Sequence, residues 1–268
     1  MNGHLLLRRF VQATLLACAL LAGCAPRPAS IPETTLPGVA SEALLQLVKT
    51  SGTSIQTVRG LAKVKLVGKD RSVGFSQVLL VAFPDRLRAE SLSPFGSPLL
   101  ILASDGSDLE VLLPGEGRFL QGPASAENLR RFTRIPLRLA DLVSLLLYRP
   151  LLLSWDSMRQ DGDGRNLYRL ILDGPQDRRQ VFTFDAGKRL IGAAYYHGTD
   201  LLLEVKYGDF LAAAPLYPQR VELSVPGSGI DATVRFQDVA LNVNLPADRF
   251  RLQPPAGARV EEFPTGGG

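Results

Sequence analysis

The chain has 268 residues, 46% of them hydrophobic, with 30 Lys and Arg against 26 Asp and Glu and a formal net charge of +4. Basic and acidic residues are interspersed, so there is no electrostatic case for a nucleic-acid partner. The length suits one large β domain or two small ones, and a single β-barrel of this size is ordinary.

The first residues read as a secretory signal. Arg8-Arg9 precede an apolar run from Phe10 to Ala22, with small residues before Cys24, the order of a cleavable leader. The run contains Gln12 and Thr14 and is too short to span a bilayer comfortably. Phe10 follows the twin arginines directly, and no Tat consensus surrounds them. Leu21-Ala22-Gly23-Cys24 resembles a bacterial lipoprotein lipobox, which implies that Cys24 takes a diacylglycerol on its sulfur and an acyl chain such as palmitate on its new amino group. The alternatives are an ordinary signal or a short transmembrane helix ending in cysteine by chance. Cleavage before Cys24 removes Arg8 and Arg9, so the 30 basic residues fall to 28, and His4 and Cys18 go with them. His197 and an acylated Cys24 then remain, which excludes a disulfide framework, a Cys/His zinc site and a Cys-His dyad by inventory. Ala25 is not the inner-membrane retention aspartate, so enterobacterial sorting rules imply the periplasmic face of the outer membrane.

Residues 24–40 contain Pro26, Pro28, Pro32 and Pro37 and read as an extended tether, reaching about 3.1 Å per residue in polyproline geometry. Ser41 is placed to cap a helix with Leu44, Leu45, Leu47 and Val48 on its apolar side. Strands are then expected at Val58–Val67, Val73–Phe83, Arg86–Leu92, Leu99–Ser104 and Leu109–Leu113, with Asp105-Gly106 as a type I′ hairpin turn. Ser125 can cap a helix through Phe132, and Leu139–Leu147 reads as another, stopped before Pro150. Further strands are expected at Leu153–Arg159, Asn166–Leu172, Gln180–Asp185, Leu190–Tyr196, Leu201–Tyr207, Gln219–Val225 and Thr233–Val239. This pattern predicts a mainly β (α+β) fold, a half-open antiparallel β-barrel partly plugged by helices. Residues 41–253 form its single domain, and 254–268 are expected to be a flexible tail.

Catalytic signals are sparse. A Ser-His-Asp triad would have to recruit His197, at a strand end where a surface turn histidine is the ordinary occupant. Asp161-x-Asp163 is followed by Gly164 at the fourth place and Leu172 at the twelfth, which fits a hairpin turn and not a calcium loop. There is no nucleophile elbow, P-loop or dinucleotide fingerprint, so no enzyme, metal or cofactor is expected. What is abundant is apolar strand surface: Val78 to Val81, Leu99 to Leu102 and Leu201 to Leu203 are apolar on both faces. Such strands either fill a core or line an aliphatic lumen, and an aliphatic lumen suits acyl chains.

Residues 84–122 carry a specific order of features. Pro-Asp-Arg-Leu-Arg-Ala-Glu (84–90) is followed by Ser-Pro-Phe-Gly (93–96), two apolar strands flanking Asp105-Gly106, and Phe119-Leu120-Gln121-Gly122. Ala126-Glu127-Asn128-Leu129, Pro136-Leu137 and Asp141-Leu142 follow, and Val58-Arg59-Gly60 lies upstream. Together these resemble the LolA/LolB-like lipoprotein superfamily, and within it the LolB-type outer-membrane insertion factors. The resemblance implies a half-open barrel under a helical lid, with an apolar cavity for lipoprotein acyl chains. A LolA-like periplasmic carrier and outer-membrane lipids would be its partners. It also implies a membrane-insertion loop at Pro94, Phe95 and Gly96, although Pro-Phe-Gly by itself reads as a turn whose ring folds onto the core. The expected cavity lining is Val64, Leu66, Val78, Leu80, Leu100, Leu102, Val111, Leu142, Leu145 and Leu146. By family position the resemblance also implies Arg59 as an inward charge in contact with the lid, with a strand-edge surface residue as the alternative. A sensor or structural envelope lipoprotein on the same fold is the alternative function.

Overall fold

The computed structural model describes residues 39–162, 166–212 and 214–263. The signal segment, Cys24 and the tether through residue 38 lie outside the described residues. Helix α1 (Ser41–Thr50) buries Leu44, Leu45 and Val48. Two antiparallel meanders follow. The first is β1 (Thr57–Val67), β2 (Ser72–Ala82), β3 (Arg86–Leu92), β4 (Pro98–Ser104), β5 (Asp108–Leu113) and β6 (Arg118–Pro123). Helices α2 (Ala126–Thr133) and α3 (Leu139–Leu146) separate it from β7 (Ser157–Gly162), β8 (Tyr168–Gly174), β9 (Arg178–Phe184), β10 (Leu190–His197), β11 (Asp200–Phe210), β12 (Pro218–Val225) and β13 (Ile230–Leu241). The last strand among the described residues is β14 (Arg259–Glu262).

All strands join one sheet in the order β14-β6-β5-β4-β3-β2-β1-β13-β12-β11-β10-β9-β8-β7. Its first and last members do not pair, so it is a half-open, barrel-like sheet. The antiparallel β1–β13 pair joins the meanders and carries a register shift between Leu61 and Ala62. Gly60 sits beside that shift, where an added Cβ would fall 2.3 Å from the Asp238 carbonyl oxygen and 2.9 Å from the Phe236 ring. Only glycine permits so close an approach.

Strand alternation assigns the faces. On β1, Val58, Ala62 and Val64 are buried while Arg59, Lys63 and Lys65 are exposed. The inner face packs on α3, whose Leu139, Leu142, Val143, Leu145 and Leu146 are all buried. Full apolar burial, and not helix propensity, holds so short a helix. Ser125 caps α2 as expected, its side chain accepting from the Asn128 N–H.

Three local expectations are corrected. Ala40, not Ser41, occupies the N-cap of α1 and makes no side-chain cap bond. Gly106 has φ +104° but Asp105 keeps a negative φ, so the turn is not type I′. Asp105 Oδ1 instead accepts from the N–H groups of Ser107 and Asp108 at 3.0 Å each. The C-terminal segment is also more ordered than a flexible tail. β14 pairs in parallel with β6, Phe263 is buried, and the Phe263 ring lies 5.8 Å from that of Phe132 on α2. The physical cause is a strap crossing the outer face of the first meander. Phe250 is fully buried within it, Arg88 donates to the Arg249 carbonyl at 3.1 Å, and Arg251 pairs with Asp105, Asp108 and Glu110.

Two outcomes are expected. Phe250→Ala should destabilise the domain by about 3–5 kcal/mol in urea unfolding; no change would mean that the strap does not help hold the first meander. The second concerns Asp105. Burial opposes its ionisation, but the Asp108 and Ser107 N–H groups and Arg251 outweigh that and hold its carboxyl below the ordinary range. With the folded pKa depressed, the stabilisation is present above the unfolded value of about 3.9 and is lost as pH falls through the folded value. Amide exchange across residues 251–262 should therefore accelerate below about pH 4, ahead of exchange in the β1–β13 pair.

Candidate functional site: an apolar cavity and an exposed turn

An apolar cavity of about 90 Å³ lies between the inner face of the sheet and the two central helices. Val64 and Leu66 of β1, Phe75, Gln77 and Leu79 of β2, and Leu87, Ala89 and Ser91 of β3 form its floor, continued by Leu100 and Leu102 of β4. Leu223, Ala232 and Val234 close one side, and Phe132, Thr133, Ile135, Leu142 and Leu146 close the roof. The lining contains few polar groups. Gln77 donates from Nε2 to Ser91 Oγ at 3.1 Å, and the Thr133 hydroxyl donates to the Leu129 carbonyl at 3.0 Å. Small-molecule sites commonly enclose about 300–1,000 Å³, so the cavity is small, with the helices occupying most of the concave side of the sheet.

The two helices are held unequally. Carbonyls at the end of α3 accept from buried tyrosines: Tyr217 donates to Leu146 at 2.9 Å and Tyr207 to Leu145 at 3.4 Å. Just beyond, Tyr195 donates to the Leu151 carbonyl and Tyr148 to that of Leu190, each at 2.9 Å. Burial pushes all four phenols above their ordinary range, so they remain neutral donors. Arg149 donates to the carbonyls of Gly52 and Ile55 at 3.0 and 2.6 Å and lies 4.0 Å over the Phe83 ring. Gln180, 1% exposed, grips both backbone polar groups of Leu153. In contrast, α2 buries only Asn128 and Leu129 along its length.

The structure sorts the expected lining residues. Val64, Leu66, Leu100, Leu102, Leu142 and Leu146 meet around the cavity. Val111 and Leu145 are fully buried in the core without bordering it. Val78 and Leu80 lie on the opposite face, because their partners Leu61 and Arg59 point outward from β1. A reading displaced by one residue exchanges the faces of a strand, and the unbroken apolar run at 78–81 conceals its phase. The missed residues Phe75, Gln77 and Leu79 were accessible through pairing, since Phe75 lies opposite Val64. Arg59 is likewise corrected: it is exposed on the outer face, not inward beneath the lid.

Phe95 is 97% exposed at the tip of the β3–β4 turn. Ser93 builds that turn, its Oγ accepting from the N–H groups of Phe95 and Ser97 at 3.2 and 3.1 Å. Pro94 and Gly96 are also exposed, and Gly96 has φ +85° with open space around it. The ring is thus held away from the core on a compact turn connecting two cavity-lining strands. His197 is exposed at the β10–β11 turn.

A larger concavity, about 870 Å³, opens on the outer face of β8–β11. Its charged rim is internally neutralised: Arg159 and Arg179 pair with Asp173, Lys206 with Glu204, and Arg220 with Asp209 and Glu222. It reads as a solvated sheet face, leaving the apolar cavity as the candidate site. Removing one roof tie should register in stability: Tyr217→Phe leaves the buried Leu146 carbonyl without its donor and should cost about 1–3 kcal/mol in chemical unfolding.

No family model and no curated protein matches the chain. Solved structures do. A LolA superfamily protein from Nitrosomonas europaea aligns with TM-score 0.52 at 16% identity, over 80% of this chain and 99% of its own. A domain from Vibrio parahaemolyticus described as a candidate outer-membrane lipoprotein-sorting protein aligns with TM-score 0.52 at 15% identity, over 79% and 97%. A DUF1329 family protein from Desulfovibrio piger gives 0.51 at 14%, over 79% and 95%. At these identities the likeness is one of fold: the chain has the open, helix-covered sheet of LolA-like proteins.

Proposed function

We propose that this chain is a lipid-anchored envelope protein that holds the acyl chains of lipoproteins in its apolar cavity and helps insert them into the outer membrane. One observation carries the reading: the turn presenting Phe95 to solvent directly joins Ser91 and Leu100, which line the apolar cavity. Acyl binding and membrane contact are thereby built on the same pair of strands. In this reading residues 1–23 are the signal, Cys24 is the lipid anchor, residues 24–40 are the tether, and Ala25 permits sorting to the outer membrane. A LolA-like periplasmic carrier delivers the cargo. The role is non-catalytic.

Each methylene removed from water is worth about 0.8 kcal/mol, so acyl chains do not cross water freely. Passage from one apolar cavity to another and then to the bilayer is nearly neutral per methylene, and small differences in affinity set its direction. Entry requires the roof to move, and α2 is the side that moves, because α3 is tied by the tyrosine hydroxyls. Phe95 entering hydrocarbon gains about 1.5–3 kcal/mol, enough for transient contact and too little to anchor; Cys24 anchors.

The test uses the full chain, a diacylated lipopeptide and phosphatidylcholine vesicles. Phe95→Glu should leave lipopeptide binding unchanged and slow transfer to the vesicles by about tenfold to a hundredfold. Ala89→Trp, which fills the cavity floor, should abolish binding in a protein that still folds. Unchanged transfer by the Phe95 variant, or unchanged binding by the Ala89 variant, overturns the reading. A stable protein partner with no bound acyl chain in native mass spectrometry supports the sensor role instead.

A further inference from the structure

The β1–β2 hairpin runs past its neighbour on one side. β3 ends at Leu92 opposite Ser76, whereas β1 and β2 continue to the Val67–Ser72 pair and close through Gly68, whose N–H donates to the Arg71 carbonyl at 2.9 Å. The extension of four residues is about 13 Å of strand. The β3–β4 turn with Phe95 and the β12–β13 turn lie at the same end of the sheet, and three further exposed apolar side chains share it: Val73, Leu99 and Leu202, 46%, 56% and 51% exposed.

Charge is distributed unevenly with respect to this end. Arginines of the second meander and the C-terminal strap are largely engaged by carboxylates, as with Arg159, Arg179, Arg189, Arg220, Arg235 and Arg251. The hairpin instead carries Lys63, Lys65, Lys69 and Arg71, all exposed. Among the described residues none of these makes an ion pair; Lys63 donates to the Ser76 hydroxyl at 2.8 Å. Lys63 and Lys65 leave the outer face of β1. The Lys69 stem lies across the β12–β13 turn, where an added Cβ at Gly229 would meet its Cγ and Cε at 3.3 Å. The nearby acids are Asp70 in the turn and Asp231 opposite Val67, while Glu222, in the row of Lys65, is engaged by Arg220. Four cations thus face two unpaired carboxylates.

We propose that the tip of the β1–β2 hairpin is a docking surface for anionic lipid headgroups, orienting the domain so that Phe95 meets the bilayer. It rests on the reading that the Phe95 end faces the membrane. A cationic cluster beside exposed apolar side chains supplies the two signals that stable surface contact requires. The cations act only within a Debye length of the charged surface, so they engage once the tether has brought the domain close.

The test uses the full chain reconstituted into vesicles of phosphatidylcholine alone or of phosphatidylcholine with phosphatidylglycerol. Amine acylation is followed residue by residue with mass spectrometry. Labelling of Lys65 and Lys69 should slow about tenfold or more in the anionic vesicles and recover at high salt, while Lys188, in the β9–β10 turn at the other end, is unaffected. Equal rates in the two vesicle types overturn the proposal. Arg71→Glu should weaken the protection of both lysines; full retention would make it mere proximity to the anchored surface and would also overturn it. Lipopeptide transfer into uncharged vesicles is scored separately. Its failure with lysine protection intact removes the acyl-transfer reading alone, and loss of protection with transfer intact removes docking alone.

Discussion

The pairing of β1 with β13 is the constraint on which the rest depends. Without it the chain would be two short meanders, each with one apolar face and no partner large enough to cover it. Joined at that seam, their inner faces become one concave surface, and α3 can be buried against strands from both halves. Gly60 and the register shift beside it allow the seam to bend. Bulges increase local twist, and here the twist falls where the two meanders must turn toward each other.

A sheet curled this far still has two open edges, and the chain handles them differently. On the β6 side the C-terminal segment returns to add β14, with Phe263 set against Phe132 of the roof. That contact links the end of the chain to the less securely held helix. On the other side the segment after α3 is fastened through Tyr195 and Gln180, and β7 is left as a short, mostly exposed edge. The cavity is therefore bordered by one helix tied through buried tyrosine hydroxyls and one lightly buried helix.

Much of this was legible in the sequence. Strand positions followed from alternation and from Gly and Pro punctuation, and the Ser125 cap from its place before Ala126-Glu127-Asn128. Of the six expected residues that border the cavity, Val64 and Leu66 lie on β1, where inward phase was unambiguous, and Leu142 and Leu146 on the inner stripe of α3, while Leu100 and Leu102 lie in a run apolar on both faces. The phase of β2 was not legible, since Val78-Leu79-Leu80-Val81 satisfies either face, and only pairing with β1 resolves it. Arg59 failed for a different reason: it was placed by family position, against the alternation of β1 that turns it outward. The ordering of residues 259–262 was not legible because it comes from a partner strand more than a hundred residues away, with Arg259 set opposite Arg118.

By itself, the sequence determined the local matters: the spacing of the strands, the central helical interlude and the scarcity of catalytic side chains. These depend on short-range periodicity, chain stiffness and inventory. Only the tertiary structure decided which face of β2 looks inward, how small the cavity is, that Phe95 stands clear of the core, and that among the described residues the hairpin cations make no ion pair. Those properties are set by contacts between residues distant in the chain, where pairing register and solvent exposure, and not residue type, determine what a side chain meets.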